Sequence, residues 1–354
     1  MIRVGIAGIG FMGLVHYLTY QKIRGIKVVA LSTRSAQRRT GDWTGIQGNF
    51  GPPGGKVDLS GVRTYARFDE MVADPRVDLI DVCVPPGQHA LYAIQALSGG
   101  KDLFCEKPMA LDAADCAKMQ TAAERAGQRL LVGHVLPFMP EYDWAYRTVQ
   151  SGKYGRLLGG TFRRCISDPA WLPRYFKKDV GGPMLDLHVH DAHFIRLLFG
   201  MPTWLCTLGR TRRGVAEHWT TQFRFKDPRQ SATFTGGIVN QQGRAFTHGF
   251  EIHLEKATLL FDFAVIGGVG KYLCPPTLLD DRGRATTPKL SDGDPMNAFV
   301  AEIKQVMKDV KGKSMSPLLG SQLAADAITL CHKQSESLRT GKPLTTKTPR
   351  VRHG

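Results

Sequence analysis

The stretch that decides the fold lies near the start of the chain and reads Arg3-Val-Gly-Ile-Ala-Gly8-Ile-Gly10-Phe11-Met12-Gly13. A short β-prone run breaks there into the pattern G-x-G-x-x-G, and residues 14–23 continue as an apolar stretch with helical character. In such a unit the first glycine permits a tight turn, the second admits a pyrophosphate close to the backbone, and the third allows close packing of the helix, whose positive end faces the phosphates. We predict a dinucleotide-binding turn contacted through Gly8, Gly10, Phe11, Met12 and Gly13.

The residues after the second predicted strand, 27–32, bear on the choice of cofactor. An acidic residue about 20 positions beyond the glycine turn would bind the ribose 2′-hydroxyl of NAD. The chain instead has Ser32, Thr33, Arg34 and Arg38 in this region. Because guanidinium groups bind phosphate oxygens in a bidentate manner, we expect these four residues to contact the cofactor and NADP to be preferred, with NAD possible. The alternative is that the arginines face solvent and Arg34 only stacks on the adenine.

The order of predicted strands and helices changes near residue 131, which predicts two domains. Up to residue 131, short β-prone runs (3–7, 27–32, 62–65, 79–84, 101–105 and 129–133) alternate with helical stretches, as in a doubly wound parallel sheet of the Rossmann type. Beyond it, strands follow one another (156–166, 203–212, 218–225, 231–238, 247–254 and 257–263), which predicts an α+β domain with a largely antiparallel open sheet, ending in helices at 295–310 and 317–338. The fold class is therefore α/β with boundaries at 1–131, 132–340 and a basic extended tail at 341–354. Residues 41–61 form a glycine-rich loop, either a cofactor flap or a surface insertion.

Composition narrows the class of protein. The 354 residues are 42% hydrophobic and 22% charged, which fits two globular domains, and no apolar run approaches the roughly 18 residues of a membrane span. The net charge of +16 is spread along the chain without interleaved aromatics, so we expect a solvated basic surface, no nucleic acid and no membrane partner. Seven cysteines without a C-x-x-C pair, and a strand pattern that starts at Ile2 without a leader, favour the cytoplasm. Cys105 is interpreted as a strand residue and not as a nucleophile.

Five motifs together resemble the Gfo/Idh/MocA oxidoreductase family, named for glucose-fructose oxidoreductase and inositol dehydrogenase. They are the glycine turn, Val84-Pro85-Pro86-Gly-Gln-His89, Glu106-Lys107-Pro108, Gly181-Gly-Pro-Met-Leu-Asp186-Leu-His-Val-His190 and Ser337-Leu-Arg-Thr-Gly-Lys-Pro343, so the resemblance covers nearly the full length. It implies cofactor contacts at Val84, Pro85, His89, Glu106 and Lys107, and a homo-oligomer, dimer or tetramer, formed through the open sheet. The Lys107-Pro108 bond resembles one that is often cis.

The resemblance also implies catalytic roles. Lys107 would bind the reacting oxygen or assist proton transfer, Asp186 would bind substrate, and His190 would act as general acid and base. If 182–198 is one helix, Asp186 and His190 are four positions apart and share a face. Histidine titrates near neutrality and can accept a hydroxyl proton as hydride leaves the same carbon. The alternatives are an ordinary surface amine at Lys107 and a satisfied buried histidine at His190.

Some positions depart from the family pattern. Val84 and Pro86 replace a threonine and an asparagine, which puts side-chain hydrogen bonds near the nicotinamide in doubt, and Pro137 stands where an arginine is frequent. His188 and His193 replace a glycine and an aspartate, so both are candidates to tune substrate choice. Helical spacing would gather Asp186, His190 and His193 but send His188 away, and we expect no metal, since the family generally transfers hydride without one.

Substrate contacts are predicted at Lys107, His134, Asp186 and His190, and at Trp171 and Arg174, which offer a flat aromatic ring and a donor to a sugar or an acid. The whole pattern predicts an NAD(P)-dependent oxidoreductase acting on a secondary alcohol or carbonyl of a carbohydrate or cyclitol. A transient oxidation serving glycoside cleavage is an alternative within the enzyme class. A non-catalytic regulator that senses a dinucleotide or sugar is the alternative outside it.

Overall fold

The computed structural model describes residues 1–48, 50–169, 173–176, 181–291, 294–312 and 314–346, and of Pro173 and Arg174 only the backbone. The chain divides into two compact units. The first comprises Met1–Met139 and Asp292–Ala325, and the second comprises Pro140–Ser291 and Asp326–Gly354. A single boundary at 131/132 places the helix that begins at Pro295 in the second domain, whereas the compact units place it in the first.

The strands are β1 Ile2–Ala7, β2 Ile26–Ser32, β3 Arg63–Tyr65, β4 Leu79–Val82, β5 Asp102–Glu106, β6 Leu130–Gly133, β7 Leu157–Ser167, β8 Trp204–Arg212, β9 Val215–Arg224, β10 Ser231–Val239, β11 Arg244–Leu254, β12 Ala257–Ile266, β13 Val269–Asp280, β14 Ala285–Thr286 and β15 Leu344–Thr345. The α-helices are α1 Phe11–Gln21, α2 Ala36–Arg39, α3 Phe68–Val72, α4 His89–Ser98, α5 Ala113–Ala126, α6 Pro140–Gln150, α7 Gly182–Asp186, α8 Val189–Phe199, α9 Pro295–Lys311 and α10 Ser321–Thr340.

The first unit is built on a parallel six-stranded sheet in the order β3-β2-β1-β4-β5-β6. Its inner strands β1, β4 and β5 and the edge strand β6 are largely apolar on both faces, as expected when helices cover both sides, and Val4, Ile6, Leu79, Phe104 and Leu131 are all fully buried. The doubly wound Rossmann sheet predicted from the sequence is confirmed.

Helix α9 completes the core of the first unit although it lies far along the chain. Ile303 and Val306 are fully buried in the same cluster as Leu14 and Tyr20 of α1. Asp294 caps its first turn by accepting a hydrogen bond from the Met296 amide at 2.9 Å. The helix therefore brings side chains from near residue 300 against the glycine-turn helix.

The second unit contains a nine-stranded sheet in the order β14-β13-β12-β11-β7-β10-β9-β8-β15. Only the pair β7 and β10 is parallel, and the other pairs are antiparallel, which confirms the predicted α+β class. The prediction missed β13, because its exposed residues, Gly270 and the pair Pro275-Pro276 are typical of loops. In the predicted tail, β15 adds an edge strand to β8, and residues 347–354 lie outside the described part.

Residues 41–61 are held on the first unit by buried side chains. Trp43 is fully buried, packs edge-on against Tyr17 of α1 with ring centroids 4.9 Å apart, and donates from its indole nitrogen to the Arg38 carbonyl at 2.8 Å. Asp42 and Lys56 form an isolated bridge that closes the base of the segment. The segment is an anchored loop, so a freely moving flap would require this buried tryptophan to leave its site.

Over the described residues, no helix has both the length and the apolar character needed to cross a bilayer.

Candidate functional site

The glycine turn joins β1 to α1 with three distinct environments. Gly8 has φ +95°, and a Cβ there would lie 2.8 Å from the carbonyl oxygen of Cys83. A Cβ at Gly13 would collide with the Gly8 carbonyl oxygen, whereas one at Gly10 would meet nothing within 4 Å. Gly8 therefore makes the turn, Gly13 brings the helix close, and Gly10 leaves open space where the helix begins. This cradle fits a pyrophosphate at the N-terminus of α1.

Helix α1 presents Phe11 and Met12 at its first turn, both half-buried. Phe11 packs edge-on against Phe50, with ring centroids 4.9 Å apart, and Phe50 stacks on Phe299 of α9 at 5.5 Å. A Cβ at Gly48 would collide with the Phe11 ring. The loop at 41–61 thus contacts the start of the glycine-turn helix through a small aromatic cluster.

The end of β2 carries a group of basic side chains and no acid between 32 and 40. Arg38 donates to the carbonyl oxygen of Ile9, within the glycine turn, at 2.6 Å. Arg39 donates to the carbonyl oxygens of Thr33 and Arg34 at 2.8 and 3.0 Å. Arg34 is exposed. Two of the three arginines therefore fix the local backbone, and the guanidinium of Arg34 is the one presented to solvent.

The segment after β4 is tied to the segment after β5 by His89. Its ring nitrogens lie 2.8 Å from the carbonyl oxygens of Pro108 and Val84, and burial lowers the pKa of this histidine. Both polar atoms of the imidazole are thus used inside the protein. Val84 is half-buried and Pro85 is exposed, and contacts of Val84, Pro85 and His89 with a cofactor stay predictions.

Lys107 follows the last residue of β5, and its peptide bond to Pro108 is cis. Glu106 is buried, and its Oε2 accepts a hydrogen bond from the Lys107 amide at 3.0 Å. The other oxygen, Oε1, lies 3.1 Å from Nε2 of His16 in α1. The Glu106 carboxylate therefore points into the unit and holds the backbone of the lysine that follows it.

All of these segments leave the sheet at one edge. The carboxyl ends of parallel strands meet there, so the turns after β1, β2, β4, β5 and β6 are neighbours. His134, which follows β6 directly, belongs to the same edge and is fully buried. Among the predicted residues of the first unit, the structure thus gathers the glycine turn, Ser32 to Arg38, Val84 to His89, Glu106 with Lys107, and His134.

In the second unit, the glycine pair 181–182 opens two short helices in place of the single helix predicted over 182–198. Gly181 and Gly182 have φ of +85° and +60°, and a Cβ on either would collide with Leu185 or Val215. Helix α7 ends at Asp186 and α8 begins at Val189. The predicted helix is therefore interrupted at Leu187 and His188, whose backbone stays in the right-handed helical region, and Asp186 and His190 are half-buried on either side of the interruption.

Tyr175, which lies beside Asp186, was not among the site residues predicted from the sequence. Burial, followed by the negative charge of Asp186, raises the pKa of Tyr175 well above its usual value. Tyr175 lies in the short 3₁₀ turn Pro173–Phe176, next to Arg174, the residue chosen from this segment. An aromatic residue with a hydroxyl just before the glycine pair was the available signal. Trp171 and the Arg174 side chain lie outside the described part of the structure.

The two histidines offered as substrate determinants are both fully buried. His188 packs against Phe234, with ring centroids 3.9 Å apart, and against Trp219 at 5.6 Å. Burial lowers its pKa to about 3. His188 is therefore a core residue packed among aromatic rings, and any influence on substrate choice would pass through the residues around it.

A buried ion pair fixes α8 to the sheet of the second unit. Arg164 of β7 donates from Nε and Nη2 to the two oxygens of Asp191 at 2.7 and 3.2 Å, and both side chains are almost fully buried. Such a bidentate pair sets the orientation of the helix as well as its position. Since Asp191 follows His190, the pair anchors the segment that carries the predicted acid and base.

Two family models match the chain. The oxidoreductase family with an NAD-binding Rossmann fold matches residues 2–134, and the Gfo/Idh/MocA C-terminal domain matches residues 142–260. Together they account for most of both units.

Curated relatives match at modest identity. Inositol 2-dehydrogenase 1 of Saccharopolyspora erythraea is 26% identical over 259 residues, covering 72% of this chain and 71% of that protein. Trans-1,2-dihydrobenzene-1,2-diol dehydrogenase of Macaca fascicularis is 25% identical over 279 residues, covering 75% and 80%. For other relatives the match is shorter. The uncharacterized oxidoreductase ORF334 of Rhizobium meliloti is 27% identical over 202 residues, which cover 56% of this chain and 56% of that protein.

Solved structures share the whole fold. A levoglucosan dehydrogenase solved with NADH and levoglucosan superposes with a TM-score of 0.78 at 18% identity, covering 98% of this chain and 100% of that one. A probable dehydrogenase from Thermotoga maritima gives a TM-score of 0.77 at 19% identity, covering 97% and 99%. The two matched domains show that the chain belongs to the Gfo/Idh/MocA oxidoreductase family and that its first unit contains an NAD-binding Rossmann domain.

Proposed function

We propose that the protein is an NAD(P)-dependent oxidoreductase that transfers a hydride between the nicotinamide and a secondary alcohol or carbonyl of a carbohydrate or cyclitol. The observation that supports this most is the placement of Lys107 at the carboxyl edge of the sheet that carries the open glycine turn. Only β4 separates the strands that end in these two features. The relatives named for inositol and for a cyclic diol favour a ring with neighbouring hydroxyls.

Each proposed catalytic residue has a distinct task, and the bound nicotinamide would supply or accept the hydride. The Lys107 ammonium stabilises negative charge that develops on the reacting oxygen. His190 takes the hydroxyl proton in the oxidation direction and returns it in the reduction direction. Asp186, which lies beside Tyr175, binds a substrate hydroxyl. We retain His134, Trp171 and Arg174 as proposed substrate contacts.

Turnover with a panel of sugars, inositols and cyclic diols tests this function. Lys107→Ala should lower kcat on the order of a hundredfold or more, because the charge on the reacting oxygen loses its counterpart. Lys118→Ala removes an exposed lysine of α5 that pairs only with Asp115, and it should retain wild-type turnover. Wild-type turnover in Lys107→Ala would refute the role given to this residue.

We further propose that NADP is preferred over NAD. Support comes from the exposed Arg34, from the absence of a carboxylate between 32 and 40, and from Arg38, which lies over the Ile9 carbonyl of the glycine turn. A 2′-phosphate would meet guanidinium groups and the hydroxyls of Ser32 and Thr33.

Calorimetric titration with NADP and with NAD tests this preference. Arg34→Ala should weaken NADP binding by about tenfold, or about 1.4 kcal/mol, and change NAD binding little. Arg24→Ala, an exposed arginine just beyond the C-terminal end of α1, is the matched control. Tighter binding of NAD than NADP by the wild type would contradict the proposal.

We also propose a cytoplasmic homo-oligomer, a dimer or tetramer. The second unit exposes large apolar side chains on β8 and β13, with Leu208, Val269 and Tyr272 exposed by 63, 64 and 47%. Contact with a second copy of the chain would remove this apolar surface from water. All seven cysteines are unpaired, as in a reducing compartment. Light scattering of the wild type and of Val269→Glu tests the assembly: the variant should be smaller, and a monomeric wild type would refute it.

A further inference from the structure

A closed cluster of ionisable side chains lies directly behind Glu106 in the first unit. It comprises His16 and Tyr20 of α1, Asp81 of β4, Cys83 just after β4, Glu106 of β5 and Glu302 of α9. All except Cys83 are almost completely buried. The proposed chemistry at Lys107 uses none of these groups directly, and buried polar groups at such density are costly unless each has a defined partner.

His16 connects the strands through both of its ring nitrogens. Nδ1 lies 2.8 Å from Asp81 Oδ2, and Nε2 lies 3.1 Å from Glu106 Oε1. An ionised carboxylate only accepts hydrogen bonds, so a ring that bonds two of them donates from both nitrogens, as the imidazolium does. Burial is the largest influence and opposes this charge, but the charges and hydrogen bonds of Asp81 and Cys83 together outweigh it, and the pKa of His16 lies well above its ordinary value. The imidazolium is therefore shared between two carboxylates.

The remaining members of the cluster leave this arrangement undisturbed. Tyr20 donates to Asp81 Oδ2 at 2.9 Å, and the thiol of Cys83 lies 3.4 Å from both His16 Nδ1 and Asp81 Oδ1. Within the described residues, neither oxygen of Glu302 has a hydrogen-bond partner. Burial, and then the charge of Glu106, raises the pKa of Glu302 well above its usual value, which favours its neutral form. His16 is thus the member of the cluster that contacts both the Asp81 and the Glu106 side chains.

We propose that His16 is a positioning residue for Lys107 and acts through Glu106. As an imidazolium it holds Oε1 of Glu106 in place, which leaves Oε2 to accept the Lys107 amide at 3.0 Å. The backbone of Lys107 is thereby fixed before its ammonium meets substrate. The inference rests on the proposed function only in that Lys107 assists the reaction. Without the imidazolium, two buried carboxylates face each other without the positive charge between them, and Glu106 loses the contact that orients its Oε2 toward the amide.

Kinetics of His16→Gln, with Tyr20→Phe as the matched control, test this role. Both variants remove a buried polar contact of α1, but the Tyr20 hydroxyl bonds Asp81 and not Glu106. His16→Gln should lower kcat at pH 7 on the order of tenfold with KM for the dinucleotide within about twofold, because misplacement of a catalytic group costs rate more than binding. The shape of its kcat–pH profile should also differ from that of the wild type, because the positive charge of the imidazolium is lost from the buried cluster. Tyr20→Phe should keep the shape of the wild-type pH profile.

Three outcomes would overturn the inference. They are a wild-type kcat and pH profile in His16→Gln, an equal fall in both variants with an unchanged profile shape, or a neutral His16 ring at pH 7 in the nitrogen-15 NMR spectrum of the wild type. The NMR measurement applies even if His16→Gln does not fold. Lys107→Ala is measured in the same assay. If Lys107→Ala retains turnover, the proposed role of Lys107 fails. If Lys107→Ala loses turnover while His16→Gln keeps full activity, only the role of His16 fails.

Discussion

Substitution of the first two glycines of the turn separates the making of the fold from the binding of a dinucleotide. In Gly8→Ala, the residue must keep a φ of +95°, and its Cβ would lie 2.8 Å from the Cys83 carbonyl oxygen. The left-handed conformation costs about 1–2 kcal/mol and the overpacking about 1–3 kcal/mol. We therefore expect the free energy of unfolding to fall by about 2–5 kcal/mol, with loss of dinucleotide binding.

Gly10→Ala should behave differently. Gly10 has φ −104°, which alanine adopts readily, and its Cβ would meet nothing within 4 Å. As an N-cap change it should cost less than about 1 kcal/mol of unfolding free energy, but the methyl group fills the space open to a pyrophosphate, so affinity should fall at least tenfold, about 1.4 kcal/mol. Urea unfolding and calorimetric titration of both variants measure the two effects. Wild-type dinucleotide affinity in Gly10→Ala would refute the assignment of the turn.

Three further predictions concern residues that hold the loop at 41–61, helix α8 and the core of the second unit in place. Trp43→Ala should lower the free energy of unfolding by about 3–5 kcal/mol, because a fully buried ring that packs on Tyr17 is lost. Thermal unfolding measures this change. A change below about 1 kcal/mol would show that the loop at 41–61 is not anchored. Asp191→Asn should cost about 3–5 kcal/mol in denaturant unfolding by leaving the Arg164 charge unpaired, and an unchanged midpoint would contradict the pair. The pKa of His188 is about 3 in the fold against 6.5 for an ordinary histidine, so the unfolded chain binds the extra proton between these values and stability falls as pH drops through that window. His188→Gln should flatten the dependence of unfolding free energy on pH from 7 to 4, and an equally steep dependence in the variant would refute this.

The layout of both sheets was predictable because hydrophobic periodicity reflects burial. The six strands of the first unit were predicted to within two residues, since all except β3 contain a short apolar run between turn residues. Strand β13 was not, because its exposed face and its prolines carry no apolar alternation. The contribution of α9 to the first core was also hidden, as no local pattern states which sheet a distant helix covers.

The glycine turn of the candidate site was predictable because each of its three glycines has a separate physical role. Gly8 and Gly13 leave no room for a Cβ, and Gly10 leaves open space for a ligand, which are the three environments that the spacing predicts. The break between Asp186 and His190 could not be foreseen, since the sequence 182–198 contains no interior proline or glycine after its start. His16 and Asp81 were overlooked, although an aspartate within the apolar run Leu79-Ile-Asp81-Val is a sign of a buried partner.

A single-turnover assay of hydride transfer tests the proposed oxidoreductase activity. Purified protein loaded with reduced dinucleotide is mixed with a panel of keto sugars and ketocyclitols, and the absorbance of the reduced nicotinamide is followed. We expect oxidation of the bound cofactor by at least one cyclic ketone, slowed on the order of a hundredfold in Lys107→Ala although the variant still binds the dinucleotide. A protein that binds the dinucleotide but transfers hydride to no member of the panel, or that transfers it equally fast without Lys107, would refute the proposed activity.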